Sequence, residues 1–152
     1  MTGTVTTNIE VIARLLILTP GGALVVRQRG KNWGFLLGGH VEHGETAVDS
    51  AIRELREEIG LTLAPEVIER AGVVEHAYTE DGEYHHEINV VFTATLDSDH
   101  IPSSLEDHLE TLIVPMEQFG DFALRPAPLK DALLGWLANR TPFFSPLPAT
   151  AG

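Results

Sequence analysis

Glu54, Glu57 and Glu58 stand three and four residues apart within GHVEHGETAVDSAIRELREEIGL, the segment running from Gly39 to Leu61. At that spacing their side chains neighbour one another on a helix surface. Val48, Ala51, Ile52, Leu55 and Ile59 recur at helical period and form an apolar stripe that must face a core. Thr46, followed three residues later by Asp49, predicts a capped start near Ala47. Gly60 predicts a left-handed end, giving about three and a half turns. The fold must therefore seat one face of this helix on a core and leave three acids beside a glycine-rich bend.

A helix would not choose those acids for its own sake. Like charges at this spacing cost a few tenths of a kcal/mol per pair, roughly. They also lie toward the C-terminal end, where the dipole disfavours anions. A bound divalent cation removes the conflict, and an all-oxygen set suits Mg²⁺ or Mn²⁺ over Zn²⁺. The ordinary alternative is a solvated charged face, with Arg53 or Arg56 pairing to a neighbouring Glu. The preceding GGHVEHGE loop favours a ligand, because Gly38, Gly39 and Gly44 let backbone groups approach one closely.

Gly39, Glu45, Arg53, Glu54, Leu55, Glu57, Glu58, Gly60 and Leu61 match every defined position of a known pattern. The pattern is the Nudix box, and the segment resembles it in full. With average residue usage such a match arises by chance with a probability on the order of 10⁻⁸, which excludes coincidence. The resemblance implies an α/β fold, the Nudix-type α/β/α sandwich with a mixed β-sheet. It implies a Mg²⁺- or Mn²⁺-dependent hydrolase cleaving the pyrophosphate bond of a nucleoside diphosphate linked to another moiety. That class includes nucleotide-sugars, ADP-ribose, dinucleoside polyphosphates and NTPs. It further implies that Arg53 pairs with Glu45 to brace loop against helix. The Gly39 carbonyl would join Glu54, Glu57 and Glu58 around the metal, with one glutamate positioning or deprotonating the attacking water.

In this family the base often lies outside the box. Glu106 and Glu110 are candidates by position, Glu106 also as a metal ligand, and a solvated loop acid is the alternative for each. Arg27 and Arg29 are candidates for substrate phosphate, although an exposed strand-end Arg is equally ordinary. Trp33, Phe35 and Tyr78 are candidates for stacking on a base, against plain core or edge packing. Tyr78 lies 18 residues after Gly60, near where the diadenosine-polyphosphate branch tends to carry a tyrosine. The proline that the ADP-ribose branch tends to carry there is absent. His40, His43, His85 and His86 receive no role. Leu37 stands where many members have proline before the paired glycines, a departure that touches loop geometry rather than metal binding.

The remaining sequence narrows the class further. At 152 residues the chain fits one domain, expected over residues 1–140, with a proline-rich tail, 141–152, without regular structure. Ten basic and 22 acidic residues leave a formal charge of −12, which opposes nonspecific adhesion to nucleic acid or anionic membrane. The expected partner is thus a small nucleotide-diphosphate derivative, with no nucleic-acid polymer and no membrane. Absence of cysteine excludes thiolate metal sites and a Cys nucleophile. It also makes a cysteine-dependent prenyl-diphosphate isomerase improbable on this scaffold. MTGTVTTNIEV has no basic or apolar leader region, so a cytoplasmic location is expected. No Walker-type glycine-lysine loop is present. A non-catalytic nucleotide-sensing module is the alternative function, although a sensor has no need of every carboxylate.

Along the chain, Ile9–Leu18 and Ala23–Arg29 read as a hairpin around Thr19-Pro20-Gly21-Gly22. Trp33–Leu37 reads as a short extended entry to the glycines. Two long strands are expected over Val67–Thr79 and Tyr84–Leu96, joined at Asp81-Gly82. Ser98–Leu109 should be loop, Leu112–Val114 a short strand and Pro115–Phe119 one helical turn. Leu129, Leu133, Trp136 and Leu137 mark a second helix starting near Pro128. Family habit leaves a homodimer open, through the N-terminal strand or Phe143-Phe144.

Overall fold

The structure is a computed structural model that describes residues 8–104 and 106–148. The segment read above for a leader sequence lies partly, and the last four residues wholly, outside those described. The described residues form seven strands: β1 (Ile9–Thr19), β2 (Gly22–Gln28), β3 (Leu37–His40), β4 (Glu69–Glu80), β5 (Glu83–Thr95), β6 (Leu109–Val114) and β7 (Phe143–Ser145). The helices are α1 (Ala47–Ile59), α2 (Met116–Phe119) and α3 (Ala127–Asn139). Strand order is β6-β2-β1-β5-β4-β7, with β3 also on β1. The sheet is mixed: β1–β5 and β4–β7 run parallel, and the other pairs antiparallel.

Period-two alternation divides the buried residues between two faces. Ala13, Leu15 and Ile17 pack with Leu55 and Ile59 of α1. Leu16, Val25 and Val91 pack with Leu129, Leu133 and Trp136 of α3. Helices thus cover both faces of one sheet, an α/β/α sandwich. No helix among the described residues is long and apolar enough to cross a membrane.

β1 forks, and the fork positions the site. Residues 17–19 of β1 pair with β2, whereas residues 12–15 pair with β3. The extended segment expected over Trp33–Leu37 is displaced: Phe35 makes only an isolated bridge to Val26, and the strand proper is Leu37–His40. The paired glycines are therefore strand residues. Gly38 has φ +145°, and a Cβ there would stand 1.9 Å from the Ala13 carbonyl oxygen. Only glycine allows this approach.

The tail corrects another expectation. Phe143–Ser145 adds a parallel strand to β4, opposite Gly72–Val74. A Cβ at Gly72 would come within 2.3 Å of the Phe143 carbonyl oxygen. Bare backbone at Gly72 is what admits the tail to the sheet. Asp81 (φ 52°) and Gly82 (φ 81°) close the β4–β5 hairpin with two left-handed residues, the geometry that matches the twist of adjoining strands.

Candidate active site

α1 is set locally and anchored globally. The Asp49 N–H donates to Thr46 Oγ1 at 3.1 Å, and the Gly60 N–H donates to the Arg56 carbonyl with Gly60 at φ 71°. Buried Leu55 and Ile59 fix the rotation of the helix, which turns Glu54 and Glu58 toward β3 and Glu57 outward. The Gly38 N–H donates to Glu58 Oε1 at 3.1 Å. The Glu54 carboxylate occupies the space a Gly39 side chain would need, since a Cβ there would lie 2.5 Å from Glu54 Cδ. Glycine at both positions lets β3 sit against the acids.

Arg53 organises the loop and helix. Its Nε donates to Glu45 Oε2 at 2.8 Å and its Nη2 to Glu45 Oε1 at 3.0 Å. Nη2 also donates to the His40 carbonyl at 3.2 Å. Nη1 reaches Glu54 Oε1 at 3.0 Å and Glu57 Oε2 at 3.2 Å. The Arg53 hydrogen bonds hold the Glu45 carboxyl down at about 2, helped by the Glu42 backbone. Those same bonds raise the guanidinium above its ordinary value. A bidentate fork of this kind is rigid as well as strong.

Glu58 behaves oppositely. Burial pushes its carboxyl up to about 8 against the lowering effect of the Gly38 N–H, and neighbouring Glu54 and Glu106 push in the same direction as burial. Among the described residues, no three acidic or histidine side chains already converge as a metal cage. Glu54 and Glu57 are turned to Arg53 instead. The donor set nevertheless fits a hard divalent cation. It is all oxygen, it spans adjacent turns of one helix, and its buried member lies in a surplus of negative charge.

Glu110 is engaged elsewhere. Arg27 Nε and Nη2 donate to Glu110 Oε1 at 2.9 and 2.6 Å, and Arg29 Nη1 lies 3.6 Å from Oε2. Cross-strand register puts Arg27 directly opposite Glu110. Glu106 stays in the loop, close enough to Glu58 to influence its titration, with Oε2 3.5 Å from His108 Nε2.

Trp33, Phe35 and Tyr78 meet at one cavity of ≈ 650 Å³. The Arg125 guanidinium lies 4.2 Å from the Trp33 ring centroid, a cation–π contact. Tyr78 stacks on His85 with centroids 4.8 Å apart. Arg14 and Glu87 also line this cavity, whereas Arg27 and Arg29 are not among its lining residues. Sequence reasoning missed Arg14, Glu87, Asn89 and Arg125. The first three carried a signal: each is a polar residue inside a strand of buried neighbours. Arg14 Nε donates to Asn89 Oδ1 at 3.0 Å, and Arg14 Nη2 lies 3.9 Å from Glu87 Oε1. Burial lowers the Arg14 pKa, and the charges of Glu87 and Glu58 counter it. Arg14 thus lines the cavity and feels the charge of Glu58. A smaller apolar cavity of ≈ 420 Å³ sits by Thr46, Val48 and Pro142 at the other end of that helix.

A two-faced mixed sheet thus carries an acidic helix braced to a glycine strand, beside an open aromatic cavity. Known proteins agree. A family model described as NUDIX domain matches residues 9–135. The chain belongs to the Nudix family. Its fold is similar to the MutT protein from Bacillus halodurans (16% identity, 91% of this chain and 88% of that one, TM-score 0.75). It also resembles the MutT protein from Methanosarcina mazei Go1 (24% identity, 91% and 99% coverage, TM-score 0.70). A third similar structure is the E. coli dihydroneopterin triphosphate pyrophosphohydrolase (18% identity, 86% and 98% coverage, TM-score 0.70). No curated protein matches the chain in sequence.

Proposed function

We propose that this enzyme hydrolyses the pyrophosphate bond of a nucleoside diphosphate derivative with Mg²⁺ or Mn²⁺ as cofactor. The observation that carries the reading is the proximity of the Glu54 and Glu58 carboxylates to glycine strand β3, with aromatic Trp33, Phe35 and Tyr78 on one cavity nearby. Glu54, Glu57, Glu58 and the Gly39 carbonyl would hold the cation, with Glu106 adjacent. A bound divalent ion supplies charge neutralisation on phosphate and a more acidic water. The chain's own residues do the rest. Arg53 and Glu45 hold the loop in register with α1. Glu58, buried and bonded to the Gly38 N–H, is placed to hold or accept a proton. The cavity would receive the nucleoside. The structure of E. coli dihydroneopterin triphosphate pyrophosphohydrolase supports a heterocycle-bearing phosphoric anhydride as substrate class.

The test combines a substrate panel with two variants. Nucleotide-sugars, ADP-ribose, dinucleoside polyphosphates, NADH and (d)NTPs are incubated with Mg²⁺ or Mn²⁺, and products are identified by mass. Glu57→Gln and Glu58→Gln should keep the fold and lower kcat by several orders of magnitude. Near-normal turnover in both variants refutes the reading. Saturable nucleotide binding without product in the wild type would instead indicate a sensing module.

A further inference from the structure

Glu87 is a buried carboxylate without a close partner. It is only 6% exposed, yet its contacts are long: Arg14 Nη2 at 3.9 Å and Asn89 Nδ2 at 3.5 Å, both to Oε1. Among the described residues no hydrogen bond reaches Oε2, which keeps some contact with solvent. Glu87 lines the aromatic cavity together with Arg14. A largely buried carboxylate with one oxygen unbonded to protein keeps acceptor capacity that the donors of a ligand can fill.

We propose that Glu87 and Arg14 read the edge of a guanine base in this cavity, making the enzyme selective for guanine nucleotides. Arg14 offers donors and no acceptor, while Glu87 as carboxylate offers acceptors and no donor. The guanine edge presents, in order, an acceptor (O6) and two donors (N1–H and the 2-amino group). O6 takes Arg14, and the two donors take Glu87. Adenine reverses the match, setting its amino group against the guanidinium and its bare N1 against the carboxylate. Uracil supplies only one donor. Trp33, backed by Arg125 at 4.2 Å, provides the face for stacking. The proposal rests on the pyrophosphohydrolase reading only for its biological meaning, because base recognition is measurable without turnover.

The experiment compares GDP, IDP and ADP. IDP keeps O6 and N1–H but lacks the 2-amino group, so it isolates one donor without any mutation. Binding is measured by calorimetry on the full chain in EDTA, and turnover of GTP, ITP and ATP is measured with Mg²⁺. Affinity should fall from GDP through IDP to ADP, with GDP over ADP by roughly ten- to a hundredfold, the worth of a bidentate base contact. Glu87→Gln should erase most of that preference, weakening GDP and relieving the opposition to adenine N1, since an amide presents one acceptor and one donor group in place of two acceptors. Equal affinities in the wild type, tighter ADP binding, no detectable binding of any of the three, or an unchanged preference in Glu87→Gln each overturn the proposal. A guanine preference without hydrolysis sustains it and sinks the enzymatic reading. Hydrolysis without base preference does the reverse.

Discussion

Arg53 holds Glu45 through two nitrogens, at 2.8 and 3.0 Å, while its third reaches Glu54 at 3.0 Å and Glu57 at 3.2 Å. One guanidinium thus ties the glycine loop to the carboxylates and holds them near one another. Replacing it with lysine keeps the charge and loses the planar fork. Arg53→Lys should lower kcat by roughly a hundredfold, the cost of misplacing reacting groups by about an ångström. Steady-state kinetics at saturating substrate checks this, and a kcat within twofold of wild type would contradict it.

The same pair sets the acid limb of stability. The Glu45 carboxyl is depressed from 4.5 to about 2, so the folded state binds this proton less readily than the unfolded chain. Its contribution is present above pH 4.5 and lost as pH falls through about 2. Arg53→Gln should therefore show a flatter decline in urea midpoint between pH 4.5 and 2 than wild type. Parallel declines would deny the pair that role.

Glu58 has the opposite sign. With its carboxyl raised from 4.5 to about 8, the cation-free folded state holds a proton the unfolded chain has released. Stability should fall as pH rises from 4.5 to 8 and level off above. Glu58→Gln should remove that slope. Mg²⁺ or Mn²⁺ should raise the wild-type Tm by a few degrees at pH 8, ten times Kd contributing about 1.4 kcal/mol. Differential scanning calorimetry with and without the cation decides the matter.

Gly38 and Gly39 should fail differently. A Cβ at Gly38 meets the Ala13 carbonyl at 1.9 Å from a backbone with φ +145°, so Gly38→Ala should cost about 2 kcal/mol or more. A Cβ at Gly39 meets only the far end of Glu54, at 2.5 Å from Cδ, and a side chain can turn away. Gly39→Ala should stay folded with a Tm near wild type and lose activity. A folded, active Gly39→Ala enzyme would show that the position of Glu54 does not matter.

Trp33 with Arg125 should act on binding. Trp33→Leu removes the stacking face and should raise KM roughly tenfold with little change in kcat, stacking being worth about 1–3 kcal/mol per base. A fall in kcat at unchanged KM would place Trp33 with the chemistry instead.

Much of the fold was legible because its determinants are local. Thr46, the stripe through Leu55 and Ile59, and Gly60 lie within one segment, and the helix runs from Ala47 to Ile59 as that spacing predicts. The two hairpins follow from Gly21-Gly22 and Asp81-Gly82 for the same reason. β3 and β7 were not legible. β3 contains two glycines that favour no strand by themselves, and it exists because β1 offers an unpaired edge beside its fork. β7 exists because Gly72 clears room for Phe143 across about 70 residues of chain. No local propensity encodes either pairing.

The site divides along the same line. Reading residues in order was enough to determine the acidic helix and the all-oxygen character of its donors, since i, i+3 and i+4 spacing is a property of one helix, whereas the Arg53–Glu45 brace came from the family resemblance. Tertiary structure alone decided that Trp33, Phe35 and Tyr78 share a cavity, that Glu110 is spent on Arg27, and that Arg14 faces Glu87. Those partners come from different strands, and only strand order and register bring them together. Contacts between distant residues depend on how the sheet closes, which no stretch of sequence specifies alone.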